Sequence, residues 1–373
     1  VGVFKQRNGY AISLFGITEC SDNLFLSTSI TPTNFFMEFS LDNPLVNLYV
    51  RLIGWVMAGF ILGKFLSKNI SKNLGKFLFF VGAPFSVVAF MRSTTISGYM
   101  AIAPISAWTA LLVGAGLAWV WIDLGLSDER LKSISRGLSI NRNQDYVPNE
   151  SIVQSNWSRP TQGSFLLAMM VGNTGFLGFP VILTLIGPEY FAWGLFYDLS
   201  ISLGVQIFGV ALAAYYGNAE RMQGWIAPVM TVVKNPSLWA FLIGALLRYL
   251  SLPPQVDQFL KTGAWVVINL FLILIGLQLS QLSSLKNLKQ GLTCLSIKML
   301  LTPLVVGTGL MFFGVTGPPR LLLVLLMGMP PAFVTTLYAE RYGLDRDLAI
   351  TTVALGCVLI LFTIPLWIWL FGL

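Results

Sequence analysis

Apolar residues run through this chain in ten stretches, at approximately 44–63, 77–91, 99–122, 164–187, 190–216, 236–250, 263–280, 291–313, 321–338 and 348–371. A helix needs about 20 mostly apolar residues to cross a bilayer, and only structures that satisfy their own backbone survive there. Charged residues make up 10% of the 373, against roughly 25% in a soluble domain, which excludes a water-soluble globule. The expected fold class is an all-α polytopic membrane protein of ten transmembrane helices, with the lipid bilayer as its first partner.

The polar residues between the stretches give an orientation. Residues 1–43 are mixed and polar, with no apolar run behind a basic start, and read as a tail rather than a signal peptide. Residues 127–162, charged from Asp128 to Arg159, read as a flexible linker between the third and fourth spans. The loops after spans one, three, five, seven and nine hold 15 of the 23 Lys and Arg residues, and the tail and remaining loops hold six. By the positive-inside rule those odd-to-even loops face the cytoplasm and both termini lie outside, in the plasma membrane. Orientation thus accounts for the net charge of +7, and nucleic acid is not an expected partner.

Ten spans with an outside start divide into five and five, and an odd number per half inverts the second half relative to the first. The repeats are expected at 44–216 and 236–373, joined by a cytoplasmic linker over 217–235. Asn43-Pro44 opens the first and Asn235-Pro236 the second.

The fourth and ninth spans are the two with helix breakers near their middles. In the fourth, Gly172-Asn173-Thr174-Gly175 is followed by Gly178 and Pro180, whose missing amide and ring free carbonyls one turn back. In the ninth, Gly328-Met329-Pro330-Pro331-Ala332 interrupts the run, and the two prolines can open a second half-helix. Each break leaves a half-helix amino end, with unpaired amides and partial positive charge, at membrane depth. Two such ends that meet form an anion site, with the Asn173 amide beside it. Asn173, Thr174, Gly175, Gly178, Pro180, Gly328, Met329, Pro330, Pro331 and Ala332 are therefore the candidate substrate-binding residues. Kinking and close packing of ordinary membrane helices is the competing reading of the same glycines and prolines.

Asn173-Thr174-Gly175-Phe176-Leu177-Gly178-Phe179-Pro180 resembles the Asn-Thr-x-x-x-Gly-x-Pro stretch of the auxin efflux carrier family, which includes the plant PIN-type carriers. Met329-Pro330 with Tyr338-Ala339-Glu340-Arg341-Tyr342 is similar to the family's second crossover. The resemblance covers about 44–373 and implies an elevator-type carrier of the bile/arsenite/riboflavin transporter superfamily. It further implies two inverted five-span repeats, with an organic anion held where the fourth and ninth spans cross. It makes Asn173 and Pro180 the polar and breaking residues of the first crossover and Pro330 the second break. The sequence departs from plant members at Pro331-Ala332, where they carry a polar pair, and lacks their long loop between spans five and six.

Outside the breaks, Asp198 in the fifth span and Lys298 in the eighth are candidates for coupling or counter-charge, because intramembrane ionisable groups mark function by default. A structural hydrogen bond for Asp198 and a Lys298 that snorkels toward the interface are the plainer alternatives. Arg51, Arg92, Arg248 and Arg320 lie near span ends, as interfacial anchors would. Trp119, Trp121, Trp193, Tyr215, Tyr216, Trp225, Trp367 and Trp369 read as an aromatic belt.

Enzyme chemistry finds little footing. There is no histidine, Cys20, Cys294 and Cys357 are not clustered, and no metal or cofactor motif is present, so no cofactor is expected. Gly59 to Lys64 is one residue short of a phosphate loop and reads as helix packing. The expected activity is secondary transport of small organic anions, carboxylate or auxin-like or dicarboxylate, with potential-driven efflux. Uptake coupled to H+ or Na+ is the alternative, and a channel or a non-transporting sensor is the alternative of another class. A homodimer is among the expected assemblies.

Overall fold

A computed structural model describes residues 43–95, 98–139, 157–217, 230, 233–282 and 286–372. The tail over 1–42, residues 140–156 of the linker, and Arg221 and Trp225 lie outside them. Every regular element among the described residues is helical.

Twelve helices organise the account. They are α1 (Pro44–Phe65), α2 (Asn69–Met91), α3 (Ile102–Ser139), α4 (Arg159–Met170), α5 (Thr174–Leu185), α6 (Pro188–Tyr216), α7 (Pro236–Leu247), α8 (Pro254–Ser280), α9 (Leu288–Phe312), α10 (Gly317–Met327), α11 (Val334–Tyr342) and α12 (Arg346–Phe371). Seven, rather than the expected ten, are long and apolar enough to cross a membrane: α1, α2, the first part of α3, α6, α8, α9 and α12. The expected fourth span is divided into α4 and α5, and the ninth into α10 and α11. The sixth, α7, has 12 residues. At 1.5 Å per residue that is well short of a hydrocarbon core about 30 Å thick. The stretch 127–162 is not wholly a loop either, because α3 continues as helix to Ser139.

The two Asn-Pro pairs do the same work. Asn43 Oδ1 accepts from the Leu45 amide and Asn235 Oδ1 from that of Ser237, each 2.9 Å, with proline at the first helical position. Both features are favourable, because the side chain fills an orphan amide and proline has none to lose.

One group of helices comprises α1, α2, α7 and α8. Gly59 of α1 lies against the Ile273 backbone and Gly276 of α8 against that of Val56 and Phe60, so that any Cβ would collide with main chain. This is the close approach that small residues allow between membrane helices, and it explains Gly59 and Gly63 as packing. Arg92, at the end of α2, holds the group together by pairing with Asp257 of α8 at 3.2 Å and donating to the Leu247 carbonyl of α7.

The second group gathers α3 to α6 and α9 to α12. Asp345 ties one end of it, capping α12 through the Leu348 amide at 2.9 Å. It also accepts from Thr161 of α4 at 3.0 Å and from Asn287, which precedes α9, at 2.9 Å. Between the groups, Phe176 of α5 stacks on Phe271 of α8 with centroids 4.8 Å apart.

Trp119, Trp121, Tyr215 and Trp369 are exposed as a belt would be, whereas Trp193 and Trp367 are buried in the core. Arg320 also does more than anchor, since its Nε donates to the Gly307 carbonyl at 3.0 Å and its guanidinium covers Phe371.

Candidate functional site

The two breaks lie against each other. Val171 and Asn173 leave helical geometry, and Gly172 pairs with Pro331 as an isolated antiparallel bridge. The Asn173 amide donates to the Pro330 carbonyl at 2.8 Å, and the Ala332 amide to the Val171 carbonyl at 3.3 Å. Each break therefore satisfies part of the other's backbone, as non-helical chain within a membrane requires. Gly178 packs beside the crossing, where a Cβ would come within 2.6 Å of Leu326 Cδ2, so that side chain would have to turn aside.

Proline acts differently from expectation at both places. Pro330 and Pro331 do not start α11, which begins at Val334; Pro331 forms the bridge with Gly172, and the Pro330 carbonyl accepts from Asn173. With no amides they cannot continue α10, which ends at Met327. Pro180 does not make the first break either. It sits in the first turn of regular α-helix from Phe179, after a π-turn over Thr174–Gly178, while the break lies upstream at 171–173. The π-turn accommodates the ring and the missing amide.

The amino end of α5 keeps its character. Its first internal bond runs from Gly178 to the Asn173 carbonyl, so the amides of Thr174, Gly175, Phe176 and Leu177 precede it. Asp198 of α6 lies at this end: it accepts from the Thr174 hydroxyl, and a Cβ on Gly175 would be 3.5 Å from its Oδ1. The Asn173 side chain does not cap α5.

At the carboxyl end of α4 the sign is opposite. Met169 O would ordinarily accept from the Asn173 amide, but that amide is turned to Pro330. Lys298 Nζ donates to Met169 O instead, at 2.7 Å. The lysine is buried near the middle of α9 and does not snorkel. The first interrupted span thus carries a cation on its broken carboxyl end and a carboxylate on its broken amino end, both favourable to the helix dipole. Among the described residues no ion pair joins Lys298 or Asp198 to an opposite charge.

A small cavity opens beside the crossing, lined among others by Met169, Gly172, Thr174, Tyr197, Lys298 and Thr302. It has room for about a single water. Sequence reasoning missed Thr302, since a lone threonine in an apolar run carries no signal. It missed Asp345 for a related reason: its partners lie on α4 and next to α9, far away in sequence.

Residues 226–368 match the family described as membrane transport protein. An uncharacterised transporter of Methanothermobacter thermautotrophicus is 27% identical over 212 residues, which cover 56% of this chain and 68% of that protein. Another, from Methanocaldococcus jannaschii, is 25% identical over 213 residues, with the same coverage of both chains. With several apolar spans and two interrupted helices that meet, the chain is a multi-pass membrane protein whose residues 226–368 match the membrane transport protein family, the family of the auxin efflux carriers, and whose relatives are named transporters.

Proposed function

We propose that this transporter is a secondary carrier of small organic anions, working by elevator-type alternating access. The observation that carries the reading is the crossing of the two interrupted helices at Gly172 and Pro331. It offers the amides at the head of α5 to a negative group, beside the candidate residues from Asn173 to Pro180 and from Gly328 to Ala332. In this reading α4 with α5, and α10 with α11, each count as one span. The ten spans then form two inverted repeats, 44–216 and 236–373, in the plasma membrane with both termini outside. The group containing the crossing moves against α1, α2, α7 and α8.

Anion efflux needs no coupling ion, because an inside-negative potential contributes about 2.3 kcal/mol per charge per 100 mV to anion exit. H+- or Na+-coupled uptake is the second reading, and the position of Asp198 at the amino end of α5 favours it, since a loaded anion would share that end with a carboxylate. Proteoliposomes test the carrier reading itself. With a panel of labelled mono- and dicarboxylates, at least one is expected to show saturable counterflow. Linear flux without counterflow would indicate a pore, binding without flux a sensor, and indifference across the panel would end the proposal.

A further inference from the structure

Five side chains among the described residues bury a polar atom that lacks a hydrogen-bond partner: Ser86, Asn269, Gln281, Thr302 and Trp367. Natural proteins leave few such atoms, and each calls for an explanation. Thr302 shares its cavity with a buried charge, that of Lys298. The two residues are only 4% and 6% exposed.

We propose that Lys298 and Thr302 of α9 bind the carboxylate of the transported anion, and that this lone ammonium restricts the site to molecules with one negative charge and an apolar body. The inference rests on the anion-carrier reading and names the residues and substrate class of that site.

An ammonium has three donors, and Met169 O takes one of those on Lys298. No carboxylate of the described residues lies within ion-pair distance, and Asp198 is engaged by Thr174 instead, so the charge is not consumed internally. The Thr302 hydroxyl, about one turn along α9, supplies a further donor to the same cavity. Gly114 of α3 lies beside it, where a Cβ would stand at ordinary contact distance, 3.4 Å, from the hydroxyl oxygen. The two oxygens of a carboxylate match a donor pair of this kind, and exchanging a neutral carbonyl for an anion strengthens the lysine's hydrogen bond. Because the cavity holds about one water in this conformation, loading requires its walls to open.

The class of ligand follows from the remaining walls. Ala110, Leu111, Ile201, Leu326 and Met327 are apolar, and no second cation lines the cavity. A second carboxylate would meet these walls or the Asp198 carboxylate at the head of α5, and a buried charge without an opposite partner is the costly case.

The full chain, purified in detergent, is titrated with phenylacetate and with succinate at a pH where both are ionised, alongside the counterflow panel. Phenylacetate is expected to bind the wild type, with succinate weaker by about tenfold or more. Lys298→Gln should weaken phenylacetate binding by about tenfold or more, and Thr302→Val by several-fold, while Thr302→Ser restores it. Thr302→Val matches the wild-type volume and removes a hydroxyl that the unliganded protein leaves unpaired. Its thermal stability should therefore hold, which separates a binding role from a structural one and leaves a decisive variant if Lys298→Gln does not fold. Wild-type affinity in Thr302→Val or Lys298→Gln would overturn the proposal, as would succinate binding as tightly as phenylacetate. Counterflow confined to dicarboxylates would overturn it and leave the carrier reading standing. Absence of counterflow for every carboxylate would bring down the carrier reading itself.

Discussion

At the scale of single residues, charge is placed where a helix is broken. Lys298 occupies a carbonyl that lost its helical amide, and Asp198 occupies the head of the following half-helix. The sequence marked both as ionisable groups in apolar runs, but the ends they would meet were not legible, because those contacts join positions 129 and 24 residues apart. Thr174 holds Asp198 and is itself buried. Thr174→Val should therefore cost about 1 kcal/mol by stranding a partly buried carboxylate, and Thr174→Ser should recover most of it. Thermal denaturation in detergent measures both, and a Thr174→Val variant as stable as wild type would show that the bond contributes nothing.

Within single elements, proline accompanies the altered winding of three helices. Three of the four π-turns among the described residues, at Leu78–Gly82, Thr174–Gly178 and Ile297–Leu301, end two residues before Pro84, Pro180 and Pro303, whereas the fourth, at Val205–Gly209, has no proline after it in its helix. A proline lacks the amide for the carbonyl one turn back and crowds it, and a widened turn relieves both. The turn over Ile297–Leu301 contains Lys298 and so fixes the direction in which it projects. Pro303→Ala should restore ordinary winding over 288–312, with stability unchanged or raised, and should carry Lys298 away from Met169 O. A structure of the variant decides this, and persistence of the π-turn would refute the assignment to proline. The sequence showed that spans four and nine are interrupted, and it located the second interruption correctly. It misplaced the first because it took Pro180 as the breaker, whereas the chain departs from helix at Val171 to Asn173 and lets Pro180 begin the next segment. Nor could it show that Pro330 and Pro331 pair with that departure instead of starting α11, since strand-like pairing of two breaks depends on their meeting in space.

For the described molecule, two helix groups are held by different devices. Backbone-close packing at Gly59 and Gly276 and the Arg92–Asp257 pair hold one; the Asp345 ties and the crossing itself hold the other. Hydropathy led to an expectation of ten spans, yet seven helices are long enough to cross alone, because two of the apolar runs are broken and α7 is short. The contact of Phe176 with Phe271 lies where the groups meet, and the proposed elevator motion would slide that stack. Central to the account is that the crossing is exposed to the transported anion during turnover. The direct measurement places a cysteine at Asn173, with the three native cysteines replaced, and follows its labelling by a membrane-permeant thiol reagent in proteoliposomes. Labelling should proceed during turnover and be suppressed, saturably, by the carboxylate that shows counterflow. A cysteine that never reacts, or one that reacts equally at every concentration of that carboxylate, would contradict the account.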